Sequence, residues 1–179
     1  MEKKEVLDVE FSVFNKKEFG QIAKEFLNND KADAMLLVTG DVFFRQMNHA
    51  VCRELCNSKD ALMLPVTTAM FSKEELGNYK GKIISGMEIL DEFLYKKRSE
   101  ITSFYLVGDD ENQMRKFMEG LEKINPELKA KGAYFLDASL SEEQKLSGEL
   151  VINEINGTDA DVVLVLMNSP EQETWICEN

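Results

Sequence analysis

Asp161-Val-Val-Leu-Val-Leu-Met-Asn-Ser-Pro-Glu-Gln-Glu-Thr-Trp-Ile176 is the stretch on which the reading of the chain turns. Val162 to Met167 form an unbroken apolar run. A run with no polar side reads as a central strand, buried on both faces. Asn168-Ser169-Pro170 ends it: Pro170 suits the first position of a helix, with Ser169 or Asn168 as its cap. Glu171, Gln172 and Glu173 fall in the first turn, where negative side chains suit the helix dipole. The only tryptophan, Trp175, follows and is expected to pack under the strand end. A buried strand turning into a helix is where open α/β sheets bind their ligands.

Working outward, the rest of the chain repeats this alternation. Ala34–Gly40, Ala61–Pro65, Thr102–Gly108 and, more weakly, Lys129–Phe135 read as strands. Residues 42–56, 72–76, 111–124 and 141–155 read as helices, as does the segment after Gly86 that carries Met87, Leu90, Phe93 and Leu94 on one face. Ser72 with Glu75, and Ser141 with Gln144, have capping-box spacing, Asn125-Pro126 stops a helix, and Asn156-Gly157-Thr158 is a turn. At the N-terminus Val6 to Val13 alternates as a half-exposed edge strand. Asn15 and Glu18 then form a capping box ahead of an amphipathic helix with Phe19, Ile22, Ala23, Phe26 and Leu27 on its apolar face. Crossovers long enough for a helix imply a mainly parallel, Rossmann-like α/β sheet with helices on both faces and a small N-terminal edge strand, in one domain spanning residues 1–179.

Composition narrows the function classes. The chain has 179 residues, 44% hydrophobic and 30% charged, as a globular domain with a core does. A net charge of −12 argues against nucleic acid as a partner. No apolar run approaches the roughly 20 residues of a membrane span, and Met1-Glu-Lys-Lys-Glu5 leads into no signal-peptide core. Three cysteines suit a reducing compartment, so a cytoplasmic location is expected. His49, Cys52 and Cys56 share one helix face, but no fourth ligand lies near; they read as a small packed face, and no metal or other cofactor is expected.

Asn168-Ser-Pro-Glu-Gln-Glu-Thr-Trp-Ile176 resembles the Gly-Ala-Pro-Lys-Gln-Glu-Lys-Trp-Ile signature of the WecG/TagA/CpsF glycosyltransferases. The resemblance extends along the chain. Thr39-Gly40-Asp41 stands at a Thr-Pro-Asn pattern, Pro65-Val66-Thr67 at a Pro-Asp-Gly pattern, and Ile83-Ile84-Ser85-Gly86 at an Arg-Val-Ala-Gly pattern. Leu106-Val107-Gly108 stands at Leu-Leu-Gly, and Ile155-Asn156 matches the family's Ile-Asn before its last strand. It implies transfer of a sugar, typically N-acetylmannosamine, from a UDP donor to a lipid-linked acceptor, by inversion and without a metal.

The resemblance also implies site residues, and each has a plainer alternative. Gln172 matches the family's functional Gln, or completes a capping box with Ser169. Thr39 lies at a strand end suited to substrate, where a β-branched residue is also ordinary. Asp41 serves as base or as N-cap. Lys82, Gly86, Gly108 and Asn168 are candidates for substrate binding, the two glycines equally for backbone geometry. Three departures bear on activity. Val66 replaces the family's proton-accepting Asp, Ile83 replaces its Arg, and Asp109-Asp110 adds negative charge where the family approaches the nucleotide. The expectation is a divergent member, with turnover impaired or altered, or a non-catalytic relative with another ligand or protein partner. The family's arginine-bearing, membrane-associating C-terminal segment has no counterpart before Asn179, so peripheral membrane contact is expected only through such a segment. The oligomeric state is left open.

Overall fold

A computed structural model describes residues 2–6, 9–28, 34–38, 61–65, 84–95, 101–136 and 148–179. The chain forms two compact units, Met1–Asp91 and Glu92–Asn179. The expected helices over residues 42–56 and 72–76 and the start of the one from residue 141 lie outside the described residues, as do His49, Cys52 and Cys56.

In the first unit, the expected single edge strand is instead a hairpin. Strands β1 (Glu2–Val6) and β2 (Val9–Val13) pair antiparallel, from Glu2 opposite Val13 to Val6 opposite Val9. The alternation read from Val6 to Val13 thus takes in the end of β1 and the whole of β2. Nor is β2 half-exposed at its end: Phe11, Ser12 and Val13 are all buried. Asn15 caps helix α1 (Lys16–Leu27) as its spacing predicts. Its Oδ1 accepts from the Lys17 and Glu18 amides at 3.0 and 3.1 Å, and the Glu18 carboxylate accepts from the Asn15 amide at 2.8 Å. Phe14 and Phe19 stack with centroids 5.7 Å apart, the hydrophobic staple that fixes how the chain enters the helix. Strands β3 (Ala34–Val38) and β4 (Ala61–Pro65) pair parallel in register, Ala34 with Ala61 and Val38 with Pro65. Pro65 has no N–H to give a ladder and closes its strand.

Helix α2 (Gly86–Leu90) opens with a capping box of Ser85 and Glu88, whose Ser-x-x-Glu spacing the sequence reading passed over. It continues as a π-helical turn over Asp91–Tyr95. A five-residue turn rotates the later side chains out of α-helical phase. Leu94, within that turn, is buried as expected, but in the α-helical part Ile89 is buried and Leu90 is not, contrary to the expected face.

The second unit is a parallel three-stranded sheet. Its strands are β5 (Ser103–Gly108), β6 (Lys129–Phe135) and β7 (Val162–Leu166), in the order β6-β5-β7. The strand buried on both faces is β5, with every residue inside. The reading from sequence gave that place to β7; among the described residues β7 pairs only with β5, and Val163 is 41% exposed. A hydrophobic run reports apolarity, whereas burial depends on having a neighbour on each side.

Asp110 caps helix α3 (Glu111–Ile124) by accepting from the Gln113 amide at 3.0 Å, and Asn125 ends it. Helix α4 (Gly148–Gly157) runs two residues past its expected end, into a turn where Asp159 takes a φ of 49°. Tyr105 and Val107 of β5 pack against Val151 and Ile155 of α4, with Trp175 beside them. Phe104, Leu106 and Gly108 point the other way by the two-residue period of a strand. On that face a Cβ at Gly108 would meet the Met114 side chain of α3 at 2.8 Å. The two helices thus cover opposite faces of β5, the doubly wound arrangement expected. At the margin of this core the Tyr105 hydroxyl donates to Glu154 at 2.6 Å.

Candidate functional site

Strand order places the site. The chain leaves β5 for β6 on one side, then crosses to β7 on the other. Neighbouring strands whose connections run to opposite sides open a crevice beyond their carboxyl ends, the switch point at which doubly wound sheets hold ligands. Here that crevice lies between the ends of β5 and β7, where Gly108 pairs with Leu166.

The residues just past those ends meet. The Asp109 carboxylate accepts from both the amide and the side-chain Nδ2 of Asn168, each at 3.3 Å. The sequence reading made Asn168 a substrate ligand and Asp109 a charge; the structure joins them across the switch point. Gly108 serves geometry: a Cβ there would also come within 3.0 Å of the Leu166 carbonyl oxygen. Asp110 points its carboxylate back into α3. The Gln113 amide, donating to it, holds its pKa below the usual carboxylate range.

Helix α5 (Glu171–Glu178) begins directly after a cis Ser169–Pro170 bond. Its N-cap is Pro170, not Ser169 or Asn168, and no side chain caps it. Gln172 consequently completes no capping box with Ser169; its backbone amide donates to the Asn168 carbonyl at 2.9 Å, and its side chain is half-buried. Pro170 also carries no N–H for the third helical residue to accept. That residue, Glu173, is only 1% exposed, and neither carboxylate oxygen has a hydrogen-bond partner among the described residues. Reading the sequence for chemistry passed over Glu173. The signal was available: a glutamate three places after a proline has lost its usual capping partner. Trp175 packs on the core beneath, as expected.

Gly108, Asn168 and Gln172 are therefore brought to one edge of one sheet. Gly86 is the buried first residue of α2, in the other unit. Thr39, Asp41, Val66 and Lys82 lie outside the described residues. Asp109 puts a negative charge at this edge. Among the described residues no group of three or more His, Cys, Asp or Glu side chains could hold a metal, and no helix is long and apolar enough to cross a membrane.

Comparison with curated proteins finds no match. Comparison with protein families finds the Glycosyl transferase WecG/TagA/CpsF family, matched over residues 4–179. A match over nearly the whole chain, on a parallel α/β fold with its switch point at the signature segment, means that this protein belongs to the WecG/TagA/CpsF glycosyltransferase family.

Proposed function

We propose that the chain, acting as one domain over residues 1–179, transfers N-acetylmannosamine or a similar hexose from a UDP donor to an undecaprenyl-diphosphate-linked acceptor at the cytoplasmic face of a membrane, in surface polysaccharide synthesis. The observation that carries this reading is the family match over residues 4–179. The acceptor hydroxyl attacks the anomeric carbon, its proton passes to a carboxylate, and UDP leaves from the opposite face with inversion. With Val66 at the family's base position, Asp41 is the carboxylate assigned to take the proton. Lys82 balances the diphosphate as a point charge in place of the family's Arg. Thr39, Gly86 and Gln172 hold the substrate; the side chain of Gln172, unused in capping, supports that role. No metal takes part.

Val66 favours a second reading, a non-catalytic relative that binds another ligand or a protein. Thermal shift with UDP and UDP-N-acetylmannosamine separates the two. Saturable stabilisation following RT ln(1 + [L]/Kd), about 2.7 kcal/mol at a hundredfold excess over Kd, is expected of the transferase, and no shift at millimolar ligand of the other. Asp41→Asn should then lower turnover by a factor of about 10²–10⁴, the worth of a positioned base, and Val66→Asp should restore part of the loss in that background. Gln172→Ala should weaken ligand binding at unchanged stability.

A further inference from the structure

Among the described residues Glu173 is a charged side chain that the fold buries without visible use. It is 1% exposed, and both oxygens lack a hydrogen-bond partner. Its position explains the vacancy. As the third residue of α5 it would ordinarily accept the N-cap amide, but the N-cap is Pro170, which has none. It does not share the core contact made by Trp175. Two residues apart on a helix are about 200° apart around its axis, so Glu173 faces away from the Tyr105 and Val151 cluster that Trp175 packs on. An ion stripped of water without replacement donors is costly, and a native fold that retains one has a reason for it.

The chemistry of the missing partner is constrained. An ionised carboxylate only accepts hydrogen bonds, so the partner must donate. A fully ionised phosphate does not, and the carboxylate itself, with Glu171 two residues before it in the chain, repels it. A divalent cation lacks company, since no three candidate ligands cluster among the described residues. A sugar ring, with adjacent hydroxyls and in amino sugars an amide N–H, supplies paired donors without charge.

We propose that Glu173 is the residue that grips the hexose of the donor, its carboxylate accepting from two neighbouring donor groups on the ring, while the diphosphate lies away from the Asp109–Asn168 contact. The inference rests on the transferase reading and adds to it the group that distinguishes sugar nucleotide from nucleotide.

Titration calorimetry with UDP, UDP-glucose and UDP-N-acetylmannosamine tests it on the wild type, Glu173→Gln and Glu173→Asp. The wild type should bind at least one UDP-hexose tenfold or more tighter than UDP. Glu173→Gln should bring that ratio to within twofold of unity and leave UDP affinity unchanged, and Glu173→Asp should lower it in part. Without ligand, Glu173→Gln should melt no lower than the wild type, because the carboxylate has no hydrogen-bond partner there to lose. An unchanged ratio in both variants, or equal weakening of UDP and UDP-hexose, overturns the inference while the transferase reading stands. A lowered melting point with the ratio intact also overturns it, by revealing a structural partner. Failure of the wild type to bind any of the three ligands overturns both.

Discussion

Asp161 offers a test of how the second unit is stitched together. It precedes β7, yet a single oxygen, Oδ2, accepts four hydrogen bonds from the entry to β5. These come from the Thr102 amide at 2.8 Å, the Thr102 hydroxyl at 3.1 Å, the Ser103 amide at 2.9 Å and the Ser103 hydroxyl at 3.0 Å. The Asp161 amide returns a bond to the Ser103 hydroxyl at 3.2 Å. Burial pushes the Asp161 pKa up, but the Thr102 and Ser103 donors outweigh it and leave it below the usual carboxylate value. Asp161→Ala removes the acceptor. Thr102 is exposed and turns to water, but Ser103 is 4% exposed and cannot. Stranding its amide and hydroxyl should cost about 2 kcal/mol. Asp161→Asn keeps an oxygen in place and removes the charge. Since the carboxylate is largely exposed, solvent screening reduces that loss to about 1 kcal/mol. A folded pKa below the unfolded one, about 3.9, stabilises the protein above that value, and the benefit disappears as pH falls through the folded pKa. The gap between wild type and Asp161→Asn should thus be full at pH 7 and closed near pH 2. Urea unfolding followed by Trp175 fluorescence reads this, because Trp175 lies on the core of the same unit. A penalty below about 0.5 kcal/mol for Asp161→Ala, or a gap for Asp161→Asn unchanged in acid, refutes the reasoning.

Other substitutions probe the same elements. Gly132 faces the Tyr105 ring, and a Cβ there would lie 2.5 Å from it; overpacking, less the gain from stiffening the unfolded chain, predicts that Gly132→Ala loses about 1–2 kcal/mol in urea unfolding. Tyr105→Phe deletes the 2.6 Å bond to Glu154 and should cost about 1 kcal/mol at pH 7. Burial, then Glu154, raises the Tyr105 pKa above its ordinary 10, so stability tied to this phenol is complete below pH 10 and lost above it. Tyr105→Phe should accordingly flatten the fall in melting temperature above pH 10. Asn15→Ala breaks the capping box of α1 and should cost about 1 kcal/mol, read by circular dichroism.

Much of this architecture was legible in sequence because its causes are local. Asn15 and Glu18 lie three residues apart, so spacing alone located that cap, whereas the Asp110 cap of α3 went unread. The alternation of apolar runs with helical segments implied parallel strands, since each crossover is long enough for nothing else. The family signature likewise pointed to the end of β7. Errors arose where the deciding partner is distant or missing. The N-terminal alternation does not reveal where one strand ends and the next begins, so one strand was expected where two pair antiparallel. Pro170 was placed one position inside the helix it caps, and the Ser169–Gln172 capping box failed with it.

Composition and spacing alone determined the class of this protein: α/β, acidic, with its candidate site at a strand-to-helix turn. Tertiary structure alone decided that β5 and not β7 is the central strand, because a strand's place depends on neighbours that its own residues do not encode. It alone joined Asp109 to Asn168 and Asp161 to Ser103, across separations of 59 and 58 residues. It also showed Glu173 to be buried without a hydrogen-bond partner among the described residues, because burial and hydrogen bonding are properties of what surrounds a side chain, and in sequence Glu173 is one acidic residue among 33.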